Sequence, residues 1–115
     1  MITAAEALED YRASFARVGE DVIVRRFTGS GTPRPKTDTT TRARVTGYQP
    51  NELIGSIVQG DRKIIALVDT LSGILPITTA DKLVVRGKEL AIKGVDDSTR
   101  RIGGTLIALE IQVGG

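Results

Sequence analysis

The side chains that make catalysis easy are missing from this 115-residue chain. It has neither histidine nor cysteine, which removes the commonest general base, the commonest transition-metal ligand, thiol nucleophiles and disulfides together. What remains for chemistry is carboxylates, lysines, tyrosines and hydroxyls. Two acids at the right separation can hydrolyse a glycoside or hold a divalent cation, and Asp96-Asp97 is the only adjacent aspartate pair. Neighbouring side chains on an extended chain point apart and no further acid lies close in sequence, so the pair reads as a turn. Glu9-Asp10 falls on the polar side of a helix. Gly29-Ser30-Gly31 and Gly103-Gly104 lead neither into a lysine-serine pair nor into a helix, so they read as turn glycines and not as a phosphate cradle. A serine nucleophile without histidine needs a lysine base, and no Ser-x-x-Lys spacing occurs. The expectation is a protein without catalytic, metal or cofactor site.

Charge is the one remaining signal. The net charge is only +2, too little to imply a partner. Its distribution is uneven: Arg25, Arg26, Arg34, Lys36, Arg42 and Arg44 lie between Asp21 and Pro50 against only Asp21 and Asp38. If adjacent strands carry them, they form one electropositive surface able to track phosphates. Arg34, Lys36, Arg42 and Arg44 are the candidates to face DNA. Phe27 is the only aromatic among them, so base stacking of the kind single-strand binders use is not expected. The competing expectation is a solvated polar face.

The elements that must hold these residues follow from periodicity. Thr3 and Glu6 have capping-box spacing, and Leu8, Tyr11, Phe15 and Val18 recur at helical steps up to Gly19. A helix over 1–19 is expected, its stripe packing on the sheet or docking on another subunit. From Asp21 to Phe27 the period is two, with Val22 and Val24 on one face. Residues 28–38 (TGSGTPRPKTD) predict an exposed, mobile loop. Thr39 to Tyr48 alternates again, with Thr39, Thr41, Ala43 and Val45 on one face and Thr40, Arg42, Arg44 and Thr46 on the other.

Residues 49–60 (QPNELIGSIVQG) carry Leu53, Ile54, Ile57 and Val58 between Pro50, Gly55 and Gly60. They predict an exposed loop or helical turn with an apolar side, a candidate subunit or partner interface. Asp61–Asp69 has the continuous apolar middle of a strand covered on both faces. After a connection containing Pro76, Asp81–Val85 and Glu89–Val95 flank a turn at Arg86-Gly87-Lys88. Asp96–Gly104 is a charged loop, and Thr105–Val113 a last strand. One N-terminal α-helix and about six strands without crossover helices predict a mainly β domain over 1–115. Its strands pair antiparallel in a small barrel or sandwich. The start has no basic opening or apolar run of the signal-peptide kind, and no span approaches the roughly 20 apolar residues of a membrane helix. An aqueous setting and no membrane partner are expected.

Four segments taken in order carry a family likeness: Arg42–Tyr48 (RARVTGY), Ile57–Arg62 (IVQGDR), Asp81–Lys88 (DKLVVRGK) and Ala108–Val113 (ALEIQV). Together they span about the last two-thirds of the chain, and it is their order and the terminal strand that resemble the head-closure, or stopper, proteins of tailed bacteriophages and gene transfer agents. The resemblance implies a structural virion protein assembled in the bacterial host cytoplasm. It implies a homo-oligomeric ring of roughly six or twelve copies between the portal and adaptor on one side and the tail terminator on the other, closing the DNA channel. Residues 28–38 then become the segment able to approach packaged DNA. The alternative from the same basic segment is a free SH3-like or OB-like nucleic-acid-binding module.

Overall fold

The computed structural model describes residues 2–53, 55, 57–58 and 60–114. Its one α-helix, α1 (Ala4–Val18), starts where the capping box requires: the Glu6 amide donates to the Thr3 hydroxyl at 3.1 Å and the Thr3 amide to the Glu6 carboxylate at 3.2 Å. Ala7 and Phe15 are buried, and Tyr11 meets Phe15 edge to face with ring centroids 5.6 Å apart. The helix therefore packs on its own barrel. Val18, expected on the buried stripe, is instead 45% exposed, and the small Ala7 lets the helix lie close. Gly19 caps the helix in an extended conformation, and only glycine fits there: a Cβ would sit 2.6 Å from the Phe15 carbonyl oxygen and 2.9 Å from that of Ala43.

The strands are β1 (Glu20–Phe27), β2 (Lys36–Gly47), β3 (Arg62–Leu67), β4 (Lys82–Val85), β5 (Lys88–Asp96), a short β6–β7 ribbon (Arg101–Ile102, Thr105–Leu106) and β8 (Ala108–Gly114). Six of them close an antiparallel barrel in the order β1-β2-β3-β8-β5-β4, which resolves the barrel-or-sandwich alternative. Closure removes most edges. Alternation decides the inside: Val22, Val24, Ala43, Ile64, Ala66, Leu83, Val85, Leu90, Ile92, Leu109, Ile111 and Val113 form one core. Between β4 and β5, Arg86 (φ 52°) and Gly87 (φ 79°) are both left-handed, the primed turn that matches strand twist.

The expected loop 28–38 is shorter than its composition suggests. Pairing of Arg25, Arg26 and Phe27 with Asp38, Thr37 and Lys36 carries the ladder to Lys36, and the Thr28 amide closes it on the Pro35 carbonyl at 2.9 Å. Lys36 to Asp38 are strand and only residues 28–35 are loop. The expected charged loop 96–104 likewise contains β6, and Ile107 splits the expected last strand into β7 and β8.

The register sorts the connections to two ends. The α1–β1 junction, residues 48–61, the β4–β5 turn and Gly114 share one end. The β1–β2 hairpin tip, residues 68–81 and residues 97–107 share the other. There the 68–81 connection is part of the core, with Leu71 fully buried and Ile77 nearly so.

Candidate functional site

At the hairpin end the basic residues are committed one by one. Arg26 donates to the Asp81 carboxylate at 3.0 and 3.1 Å and to the Ile74 and Pro76 carbonyls at 2.7 and 2.9 Å, pinning the 68–81 connection over the barrel mouth. Asp81, its side chain 4% exposed, also accepts the Thr78 amide at 3.0 Å. Burial alone would raise the Asp81 carboxyl, but the Arg26 and Thr78 bonds outweigh it and hold it below its ordinary value. Arg25 grips Asp38 across the ladder at 3.0 and 3.1 Å and reaches Glu89 at 3.0 Å. Asp38 is held low chiefly by that guanidinium.

The four candidate DNA-facing residues fall into two groups. Arg42 and Arg44 occupy the outer face of β2, as the alternation predicts, but that face lies under the end of α1. Arg42 Nε donates to the Phe15 carbonyl at 2.9 Å, with Asp21 at 3.3 Å, and Arg44 donates to the Val18 carbonyl at 3.1 Å. The Phe15 carbonyl already accepts the Gly19 amide at 2.9 Å, so Arg42 adds a second, charged donor there, and both cations lie at the negative end of the helix dipole. Arg34 folds back on the hairpin, donating to the Gly29 carbonyl at 3.0 Å with its guanidinium 4.6 Å from the Phe27 ring centroid. Lys36 is exposed on the first residue of β2. Five of the six basic residues thus hold partners within the chain, while Arg34, Lys36 and Arg44 remain exposed.

At the opposite end, residues 49–60 start with a 3-10 turn at Pro50–Glu52. Glu52 anchors it, accepting the Gln49 amide and the Lys63 ammonium, both at 2.8 Å. Asp61 anchors the far side: its buried carboxylate accepts Lys93 at 2.9 and 3.0 Å, Gln112 at 3.1 Å and the Val58 amide at 3.2 Å. Burial again pushes the Asp61 carboxyl up, and these donors more than reverse it. The chain passes so close that a Cβ on Gly114 would lie 2.6 Å from Asp61 Oδ1.

Between these anchors Leu53 (38% exposed) and Val58 (52%) stand out. They share an open groove of about 610 Å³ with Tyr48, Arg62 and Arg86. Val58 and Arg62 also border a second, of about 500 Å³, with Lys88 and Leu90. Ile57 is half-buried in a neighbouring depression beside Tyr48 and Lys63. Ile54 lies outside the described residues. The cations Arg62, Arg86 and Lys88 around this apolar rim were not singled out from sequence; the hairpin assignment at Arg86-Gly87-Lys88 held the signal, since it sends that turn to the end where residues 49–60 must return.

Asp96 and Asp97 make a turn: Asp96 accepts the Ser98 and Thr99 amides at 2.8 and 3.1 Å. Among the described residues no group of three or more acidic side chains is arranged to hold a metal ion, and no helix is long and apolar enough to cross a membrane. Neither a scan against models of protein families nor a search of curated proteins finds a match for this chain.

Proposed function

We propose that the chain is a structural protein of the head-to-tail connector of a tailed phage or phage-like particle. Copies form a ring between the portal and its adaptor and the tail terminator, closing the channel over packaged DNA. The observation that carries the proposal is the opposition of two surfaces on a rigid closed barrel: the apolar rim of Leu53 and Val58 at one end and the β1–β2 hairpin at the other. A subunit clamped between two larger assemblies needs contact surfaces facing in opposite directions, and an exposed aliphatic rim bordered by Arg62, Arg86 and Lys88 suits a protein partner. The order of segments along the chain, which resembles that of head-closure proteins, supplies the assignment to a connector.

The free nucleic-acid-binding module is the weaker reading, because Arg42 and Arg44 already serve the helix carbonyls. Imaging of assembled particles tests the proposal: density for this chain is expected at the head-to-tail junction, and density elsewhere or its absence from particles refutes it. Val58→Asp is expected to leave the folded monomer intact while particles carrying it fail to join tails.

A further inference from the structure

The barrel is closed, but its strands are staggered, and among the edges this leaves open is the first half of β2. β2 pairs with β1 from Lys36 to Ala43 but with β3 only from Ala43 to Gly47, so the side of Lys36–Thr40 away from β1 has no strand beside it. The Thr28 amide bonds the Pro35 carbonyl, and hydrogen-bonded pairs alternate along an antiparallel ladder. Thr37, Thr39 and Thr41 therefore direct their backbone groups to β1, while Lys36, Asp38 and Thr40 direct theirs outward. All three are exposed. No proline interrupts Lys36–Gly47 and no bulge twists the edge away, two of the devices that silence an edge; the charges of Lys36 and Asp38 are another, and they turn away a partner strand unless it carries complementary charges.

We infer that in the free protein this edge pairs antiparallel with the same edge of a second copy, with Lys36 of each opposite Asp38 of the other. The side-chain chemistry selects both the occupant and the register. Lys36 and Asp38 are two apart and project from one face, so a two-fold axis at Thr37 sets opposite charges side by side twice. Moving the axis to Asp38 would set two carboxylates side by side. Lys36 makes no ion pair among the described residues, whereas Asp38 is held by Arg25, which in turn holds Glu89. The incoming lysine completes an alternating row of Lys36, Asp38, Arg25 and Glu89. About four ladder hydrogen bonds form between the copies and the two hairpins become one four-stranded sheet. The contact is smaller than the roughly 1,000 Å² of a stable interface, so the dimer is weak and concentration-dependent. The inference is independent of the connector proposal.

Sedimentation of the intact chain from micromolar to near-millimolar concentration is expected to show a monomer–dimer equilibrium that weakens with salt. Lys36→Asp alone or Asp38→Lys alone sets like charges opposite each other twice and should weaken it at least about tenfold. An equimolar mixture of the two variants restores both complementary pairs and should recover dimer. Amide hydrogen exchange on the unaltered protein gives a second readout: Lys36 and Asp38 amides should be fast when dilute and slow when concentrated, with Thr37 and Thr39 protected throughout. A monomer at every concentration overturns the inference and leaves the edge to a strand from another protein. So does a dimer indifferent to the two substitutions, or one in which the Lys36 and Asp38 amides stay unprotected.

Discussion

Replacing Arg26 with alanine should be among the most damaging single changes on the surface of this protein, although the residue belongs to what the sequence presents as a solvated basic segment. The side chain makes four hydrogen bonds that tie β1 to the 68–81 connection. Its loss leaves the Asp81 carboxylate, 4% exposed, with the Thr78 amide as its remaining partner. Breaking a buried pair from one side costs about 3–5 kcal/mol. Because the Arg26 side chain is 34% exposed, water can enter where it stood, so the expected cost is about 2–4 kcal/mol. Urea unfolding reads this directly: with a slope of about 2 kcal/mol per molar, the midpoint should fall by about 1–2 M.

The pH dependence of that difference carries the mechanism. The folded Asp81 carboxyl lies below its ordinary 3.8, so its contribution is complete above that value and fades as pH falls through the folded pKa. In the variant, burial is no longer outweighed and the carboxyl titrates above its ordinary range. The penalty should be largest at neutral pH and shrink as acid protonates it. Asp81→Asn added to the variant should cost less than about 1 kcal/mol, since the uncompensated charge is gone. A penalty under about 0.5 kcal/mol, or one unchanged between pH 7 and 3, refutes the view that Arg26 and Asp81 hold the barrel mouth shut.

Arg42→Ala should cost about 1–2 kcal/mol by removing a charged donor from the end of α1, and Arg44→Ala less than about 1, whereas Arg34→Ala should stay within about 0.5; urea midpoints in parallel check the ranking. Gly114→Ala should destabilise by about 1–3 kcal/mol, because its methyl group would collide with Asp61 and Lys93, and thermal melts would show it. Asp61, Asp81 and Asp96 all sit below their ordinary 3.8 in the folded chain, so stability from these groups is complete above about pH 4 and is lost as pH falls below it. Melting temperature followed from pH 7 to 2 checks that direction.

Much of the architecture was legible before folding was considered. Thr3 and Glu6 announce the start of α1, and the alternation in 39–48 assigns Thr41 and Ala43 inward and Arg42 and Arg44 outward, as observed. The errors share one cause. Proline, glycine and serine in 28–38 mark a loop locally, yet Lys36–Asp38 are strand because Arg25 and Asp38 find each other across the ladder. The 68–81 connection has no period, so nothing local reveals that Leu71 and Ile77 are core or that Arg26 bolts it down. Val18 carries the right spacing and is still 45% exposed, a departure that helical period alone does not reveal.

By itself the sequence determined the absence of histidine and cysteine chemistry, the helix, the strand faces and the antiparallel class, all set by composition and near-neighbour spacing. Only the tertiary structure decided what each charge is for. An arginine's partner lies tens of residues away, and whether it meets a helix carbonyl, a buried aspartate or solvent depends on which element is laid over its strand. The same holds for the open edge of Lys36–Thr40: it exists because β3 pairs with β2 only as far as Ala43.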